Sequence, residues 1–476
     1  MKINLKNSLI LFIICILFLV SRIWNLNSLP VFGDEAIYIR WAQIIKSVDT
    51  LRFIPLTDGK QPLFMWFNAI TLRLISDPLI SGRLISVFSG LGILVTLFLI
   101  SHSFLPSLIY LFLPFTYFFD RLATADTLLS FFGIFSLYLS LCLAKKPRFD
   151  VAMILGATLG FAWLTKSPAI YFIVLSFLTF IIYNSKNIRK IYFPLISAII
   201  AFVFYNILRL GPSFSQIALR NKDYIWPLTE IIKHPLDPLI PHLKDTINIY
   251  KYYLSIPLLL SPLIYFVFKK KNKFNSILFI YFAWFILPLI ANAAMAKVFT
   301  ARYILFTLPP LILIFSHFLQ SLFNKKYFYI LLILFIPNLW QIYQISFHPY
   351  NLKLPSTDTG YIVDWTSGWG IKEVSQYLIS RSREVNVIVG TEGAFGTLPD
   401  GLQIYTNNVS QLTVFGVGIN IEKIPDKLID AKNYGDEVYL LFNASRLKLN
   451  SSDISTLTLV MSIGKPDGDA LLLYRL

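Results

Sequence analysis

Residues 120–150 read DRLATADTLLSFFGIFSLYLSLCLAKKPRFD. The apolar run 127–144 is long enough to cross a bilayer as a helix. Asp120 and Asp126 flank one end, and Lys145, Lys146 and Arg148 flank the other. Short loops rich in Lys and Arg stay on the cytoplasmic side. The Lys145 end therefore lies inside and the Asp126 end outside.

Working outward, ten further apolar runs read as spans: 8–21, 83–101, 103–119, 151–165, 168–184, 191–208, 253–268, 275–293, 303–320 and 327–345. The first lacks a small-residue cleavage site. It is followed by Arg22 and Trp24, which suit an interfacial anchor, so it is kept as a helix. The run from Pro62 to Ile75 is short and carries Arg73, which predicts a juxtamembrane helix along the interface. With eleven spans and a cytoplasmic N-terminus, the inside segments 1–7, 102, 145–150, 185–190, 269–274 and 321–326 hold 14 Lys and Arg against one acid, Asp150. Counting 62–75 as a span would turn the lysine clusters outward, against the positive-inside rule.

Composition agrees. Of 476 residues, 56% are hydrophobic and 14% charged, where a soluble domain is about a quarter charged. An ordinary soluble enzyme and a disordered chain are excluded. The formal charge of +16 sits in short clusters between apolar runs, which is a topology signal and not a nucleic-acid surface. Residues 1–345 hold 31 Lys and Arg against 12 Asp and Glu, whereas 346–476 hold 11 against 14. The expected fold is a polytopic α-helical membrane protein of about 11 transmembrane helices with a small C-terminal extracytoplasmic α/β domain. Its predicted parts are a transmembrane catalytic domain, 1–345, with outer loops 22–82 and 209–252, and the α/β domain, 346–476. In the tail, strands are expected at Glu384–Gly390, Glu437–Phe442, Leu457–Ser462 and Ala470–Tyr474, and a helix at Ile371–Ser380. Ala36–Ser47 is an amphipathic stretch suited to lying on the membrane.

The chemistry-bearing residues gather on the outer side. Asp34 and Glu35 stand just past the first span, where a carboxylate can take a proton from an attacking hydroxyl. The plainer reading is that they cap the following helix. The loop Asp120–Asp126 places charges beside hydrocarbon, which is costly without a partner or a wet cavity. There the plainer reading is an Arg121–Asp126 ion pair. Lys60, Lys166, Lys297 and Arg302 reach the same side and together suit a phosphate. His234 and His242 lie in the second long loop, and loop histidines without a metal are the simpler reading. A divalent metal is compatible with the sequence and not required by it. Cys15 and Cys142 lie in apolar runs, which excludes a disulfide framework and a cysteine metal site. No HExxH, Walker loop or dinucleotide fingerprint occurs.

Six motifs in order carry a resemblance. They are Asp34-Glu35 with Tyr38, Lys60-Gln61-Pro62-Leu63, Arg83-Leu84-Ile85-Ser86, Arg121 to Asp126 with Thr127-Leu128-Leu129, Gly160 to Pro168, and Ala301-Arg302-Tyr303-Ile304-Leu305 running to Pro309-Pro310. The pattern resembles the C-type (GT-C) membrane glycosyltransferases of family 39, which include the protein O-mannosyltransferases and the aminoarabinose transferases of lipid A. The resemblance implies an enzyme at the extracytoplasmic face of the plasma membrane. It would move a monosaccharide from a polyprenyl-phosphate donor to a hydroxyl acceptor, protein, lipid or cell-envelope glycan. By this resemblance Asp34 is the catalytic base, Glu35 its acceptor-binding neighbour, Asp126 the second-loop acid and Lys60 the lysine that meets the lipid phosphate. Arg121, Lys166, Lys297, Arg302 and Tyr38 would assist. Two departures stand out: Gln61 replaces the middle proline of a frequent Lys-Pro-Pro, and Ile37 stands where the aminoarabinose enzymes carry Arg. The domain inserted in the animal and fungal enzymes is absent, which points to a bacterium. The competing class is a polytopic lipid or sugar transporter, or a flippase, without transferase chemistry. Repeated halves and mid-membrane charges, common in transporters, are not visible.

Overall fold

The computed structural model describes residues 5–184, 189–254, 258–260, 276–322, 335–466 and 468–476. The chain divides into two compact units. One comprises Met1–Leu26, Thr50–Phe67 and Arg83–Tyr343, and the other comprises Asn27–Asp49, Asn68–Gly82 and Gln344–Leu476. Residues 27–49 and 68–82 thus group with the tail.

The first unit is helical. Among the described residues, six helices are long and apolar enough to cross a membrane: Leu5–Ile23, Pro78–Ser101, Ala125–Lys145, Arg189–Leu210, Ser276–Met295 and Ala301–Gln320. Phe149–Thr165 and Ser167–Tyr183 are shorter apolar helices. Most of the expected span 253–268, the start of 327–345 and the Lys269–Lys273 cluster lie outside the described residues. The expected single span 103–119 is instead two short helices, Leu105–Phe112 and Pro114–Phe119. Pro114 has no N–H to continue the first helix, so the chain turns at Leu113. The apolar run at 62–75 forms a nine-residue helix, Leu63–Thr71, too short to cross a bilayer.

Close packing in this unit follows from small residues. A Cβ on Gly156 would lie 2.7 Å from the Ile200 Cβ, and one on Gly160 2.5 Å from the Phe204 Cβ. The two glycines, four apart, let helices Phe149–Thr165 and Tyr192–Asn206 meet backbone to backbone. Trp163 then stacks on Tyr205, ring centroids 4.3 Å apart.

Arg22 is not an interfacial anchor. It is 1% exposed, its Nε lies 3.5 Å from Asp120 Oδ2, and it donates to the carbonyls of Leu111 and Tyr110 and to the Thr116 hydroxyl. Tyr110 Oη donates to the other Asp120 oxygen at 2.9 Å. A buried charge persists only when paired and hydrogen-bonded, and this one has both.

The second unit is α/β. Its five-stranded sheet has the order β4-β3-β5-β7-β6, with β3 (Val387–Glu392), β4 (Leu412–Gly418), β5 (Glu437–Asn443), β6 (Thr458–Gly464) and β7 (Ala470–Arg475). Strand β3 runs parallel to both β4 and β5, whereas β7 is antiparallel to β5 and β6. Ile421, Leu428, Val438, Leu440 and Phe442 form a core. The helix expected at Ile371–Ser380 is Ile371–Arg381. A two-stranded sheet pairs β1 (Val31–Phe32) with β2 (Ser367–Gly368), joining the chain after the first helix to the tail.

The stretch expected to lie along the membrane, Ala36–Ser47, belongs to helix Gly33–Ser47, which packs on helix Asp400–Thr406. Ala36, Ile37, Ile39, Ala42 and Ile45 are buried there, and Gln43 Nε2 donates to the Ile404 carbonyl at 2.8 Å. Its apolar face is satisfied by protein, which removes the need for a lipid surface.

Candidate active site

In the first unit the site grows from two neighbouring helices that end together. Asp126 is the second residue of Ala125–Lys145, and Lys166 caps the end of Phe149–Thr165. A carboxylate suits a helix N-terminus and a cation suits a C-terminus. Lys166 Nζ lies 2.5 Å from Asp126 Oδ1, with the Asp126 side chain 3% and the Lys166 side chain 22% exposed. Arg121, by contrast, bonds elsewhere, so the expected alternative of an Arg121–Asp126 pair gives way to Lys166–Asp126 and Arg22–Asp120.

Tyr303 closes this cluster. Its ring receives Lys166 Nζ at 4.8 Å and the Arg302 guanidinium at 5.2 Å, measured to the centroid. The neighbouring Asn292 donates to the Tyr303 carbonyl at 3.0 Å and accepts from Tyr171 Oη at 3.2 Å, fixing the turn that carries both residues.

The Lys60 turn reaches the same place. Gln61 Nε2 donates to Ser167 Oγ at 2.7 Å, so the residue that departs from the family pattern joins the Lys60 motif to the Lys166 motif. Lys60 Nζ lies 3.6 Å from Asp58 Oδ2. Asp58 also accepts from Arg220, at 3.0 Å from Nε and more closely from Nη2. Sequence reading missed Asp58 and Arg220. An acid two residues before Lys60, across Gly59, was the available signal.

Two other cations lie differently. Arg121 is fully buried and donates to Tyr117 Oη at 2.8 Å and to the carbonyls of Trp24 and Asn25. It clamps the chain leaving the first helix. Lys297 is exposed, donates to the Lys222 carbonyl at 2.6 Å and stands 5.0 Å from the Trp226 ring centroid. His242 Nδ1 lies 2.8 Å from the Ala293 carbonyl, its ring stacked on Phe299. Among the described residues, no three His, Cys, Asp or Glu side chains gather to hold a metal.

Asp34, Glu35 and Tyr38 belong to the second unit, on helix Gly33–Ser47. Glu35 is wholly buried and its Oε2 accepts from the Phe32 N–H at 3.0 Å, closing the first turn. That is the helix-capping role given as the plainer reading. Tyr38 is 5% exposed and stacks near Trp41. Asp34, one residue earlier on the helix, is only half-buried.

A family model described as dolichyl-phosphate-mannose-protein mannosyltransferase matches residues 59–208, the segment holding Lys60, Arg121, Asp126 and Lys166. No curated protein matches the chain in sequence. Among solved structures, the chain is similar to ArnT from Cupriavidus metallidurans bound to undecaprenyl phosphate, at 14% identity and a TM-score of 0.58, over 99% of this chain and 98% of that one. The apo state of the same ArnT matches at 13% identity and a TM-score of 0.59, over 98% and 97%. The protein has an ArnT-like, polytopic membrane fold along its whole length, as the six sequence motifs led us to expect.

Proposed function

We propose that this protein is a glycosyltransferase that moves a monosaccharide from a polyprenyl-phosphate donor to a hydroxyl acceptor at the extracytoplasmic face of the plasma membrane. The observation that carries the reading is the meeting of Asp126, Lys166, Tyr303 and the Lys60-Gln61 turn inside the segment that matches the mannosyltransferase model. ArnT of the same fold was solved with undecaprenyl phosphate, and a lipid of that class is the donor carrier on this reading.

In the proposed step, Lys60 and the Lys166–Arg302 pair face the phosphate and stabilise the charge that grows on it as it leaves. Asp34 takes the proton of the acceptor hydroxyl as its oxygen attacks the sugar C1 from the opposite face. The C1–O bond to phosphate breaks and its electron pair leaves with the lipid phosphate. A single displacement inverts the anomeric centre. Asp126 fixes the Lys166 ammonium, and Glu35 and Tyr38 fix the helix that carries Asp34. The tail, 346–476, lies extracytoplasmic on this reading, and the cell is bacterial.

The test is release of free polyprenyl phosphate from a labelled polyprenyl-phosphate monosaccharide in membranes holding the protein. A transferase releases it together with a labelled acceptor. A transporter or flippase leaves the donor intact, and that result would remove the proposal.

A further inference from the structure

A cleft of about 560 Å³ opens in the second unit. Its walls are the C-terminal end of helix Gly33–Ser47, the turn at 72–78 and residues 404–409 at the end of helix Asp400–Thr406. Sites for small molecules measure about 300–1,000 Å³.

The polar groups of the cleft are held in place by the protein itself. Asp77 Oδ1 accepts from the Leu79 and Ile80 N–H groups at 3.0 and 3.1 Å, and its Oδ2 accepts from Lys372 Nζ at 3.0 Å and Asn27 Nδ2 at 3.3 Å. Those donors keep it a carboxylate. Lys46 Nζ donates to the Leu72 carbonyl at 2.9 Å, and among the described residues no carboxylate pairs with it. Asn407 Nδ2 donates to Asn408 Oδ1 at 3.0 Å, which turns the exposed Asn408 into a donor. Ser76 adds an exposed hydroxyl and Tyr405 a half-buried ring.

A carboxylate, an ammonium, an amide and a hydroxyl around one space match neighbouring sugar hydroxyls, each of which both donates and accepts. An apolar guest would strand these groups. A free anion would meet the Asp77 charge. Lys46 stands beyond Asp34 on the same helix, about 18 Å along its axis at about 1.5 Å per residue. A sugar ring in the cleft therefore cannot present its own hydroxyl to Asp34.

We propose that this cleft is a carbohydrate subsite for the acceptor, holding one sugar residue of a glycan whose reacting hydroxyl lies on another residue. The inference rests on the transferase reading above and narrows its acceptor to a molecule that carries an oligosaccharide.

The experiment uses the full-length protein in membranes with a labelled polyprenyl-phosphate monosaccharide. The acceptor probe is the oligosaccharide fraction released from the envelope of the cells that make the protein, either intact or trimmed to monosaccharides. Ser76→Trp fills the cleft from an exposed turn, and Asn408→Ala removes one exposed donor. With the intact fraction, Ser76→Trp should raise acceptor KM about tenfold and Asn408→Ala about threefold, with donor KM within about twofold of the parent. With the trimmed fraction, the parent should lose affinity and the variants should match it. Acceptor KM unchanged in both variants, or a difference that persists on the trimmed fraction, would overturn the subsite. Should Ser76→Trp fail to fold, Asn408→Ala alone decides by the same readout. A labelled product that is a protein or lipid without further sugars sinks the subsite and leaves transfer standing. No release of polyprenyl phosphate by the parent removes the transferase reading, and the subsite with it.

Discussion

Lys166 and Asp126 form an ion pair, Nζ to Oδ1 2.5 Å, between the end of one apolar helix and the start of its neighbour. The pair stands where two helix dipoles favour it and where Tyr303 covers the ammonium. It organises the cationic side of the candidate site, and its loss should be felt in both stability and chemistry.

Lys166→Met leaves the nearly buried Asp126 carboxylate without its cation. The expected cost is roughly 2 kcal/mol of stability, less than for a wholly buried pair because Lys166 is partly wet. Combining it with Asp126→Asn should cost less than the sum of the single changes. Thermal unfolding of the three variants in detergent checks this, and additive losses would show that the two side chains do not act as a pair.

The two acids of the first outer loop should separate cleanly. Asp34→Asn should abolish polyprenyl phosphate release and leave the protein folded. Glu35→Ala should lower stability by about 1–2 kcal/mol, because it removes a buried helix cap. Equal effects of both substitutions on stability would contradict the division of roles.

Gly59→Ala should weaken the joint between the outer loops. The left-handed backbone and the Arg220 stem both oppose a Cβ. A loss of about 1–2 kcal/mol, with faster protease cleavage near residue 59, is expected. Wild-type protection would argue against the contact.

Asp77 shows a pH signature. Burial alone would raise its pKa. The Ile80 and Leu79 N–H groups and Lys372 outweigh that and hold it below the ordinary carboxylate value. Its stabilising effect is therefore fully present above the unfolded carboxylate pKa and is lost as pH falls through the lower folded value. Asp77→Asn should lower Tm at pH 7 and make little difference near pH 3. A penalty independent of pH would reject the charge-based account.

Much of this was legible in the sequence, for physical reasons that differ by residue. Strands β5 and β7 stood out because their apolar residues run unbroken between turn residues, as in Glu437–Asn443 and Ala470–Arg475. Strand β4, Leu412–Gly418, was missed because Gly416 and Gly418 interrupt its β-branched pattern. The small helices Asp400–Thr406 and Asp426–Asn433 were missed because each is too short to show a period. Asp126, Lys166 and Lys60 were singled out as candidates from their charge beside apolar runs; which partner each takes, Lys166 for Asp126, was not legible. Arg22 was misjudged, since a guanidinium at a helix end reads the same whether it faces water or a ring of buried carbonyls. Arg220 was invisible because its partner, Asp58, lies 162 residues away in the chain.

The central claim is that one lipid phosphate is served by Lys60 and the Lys166 cluster. A structure of the protein with polyprenyl phosphate bound tests it most directly. The account predicts the phosphate about 3 Å from Lys60 Nζ and close to Lys166 and Arg302. A phosphate seated away from Lys60 and Lys166 would contradict it.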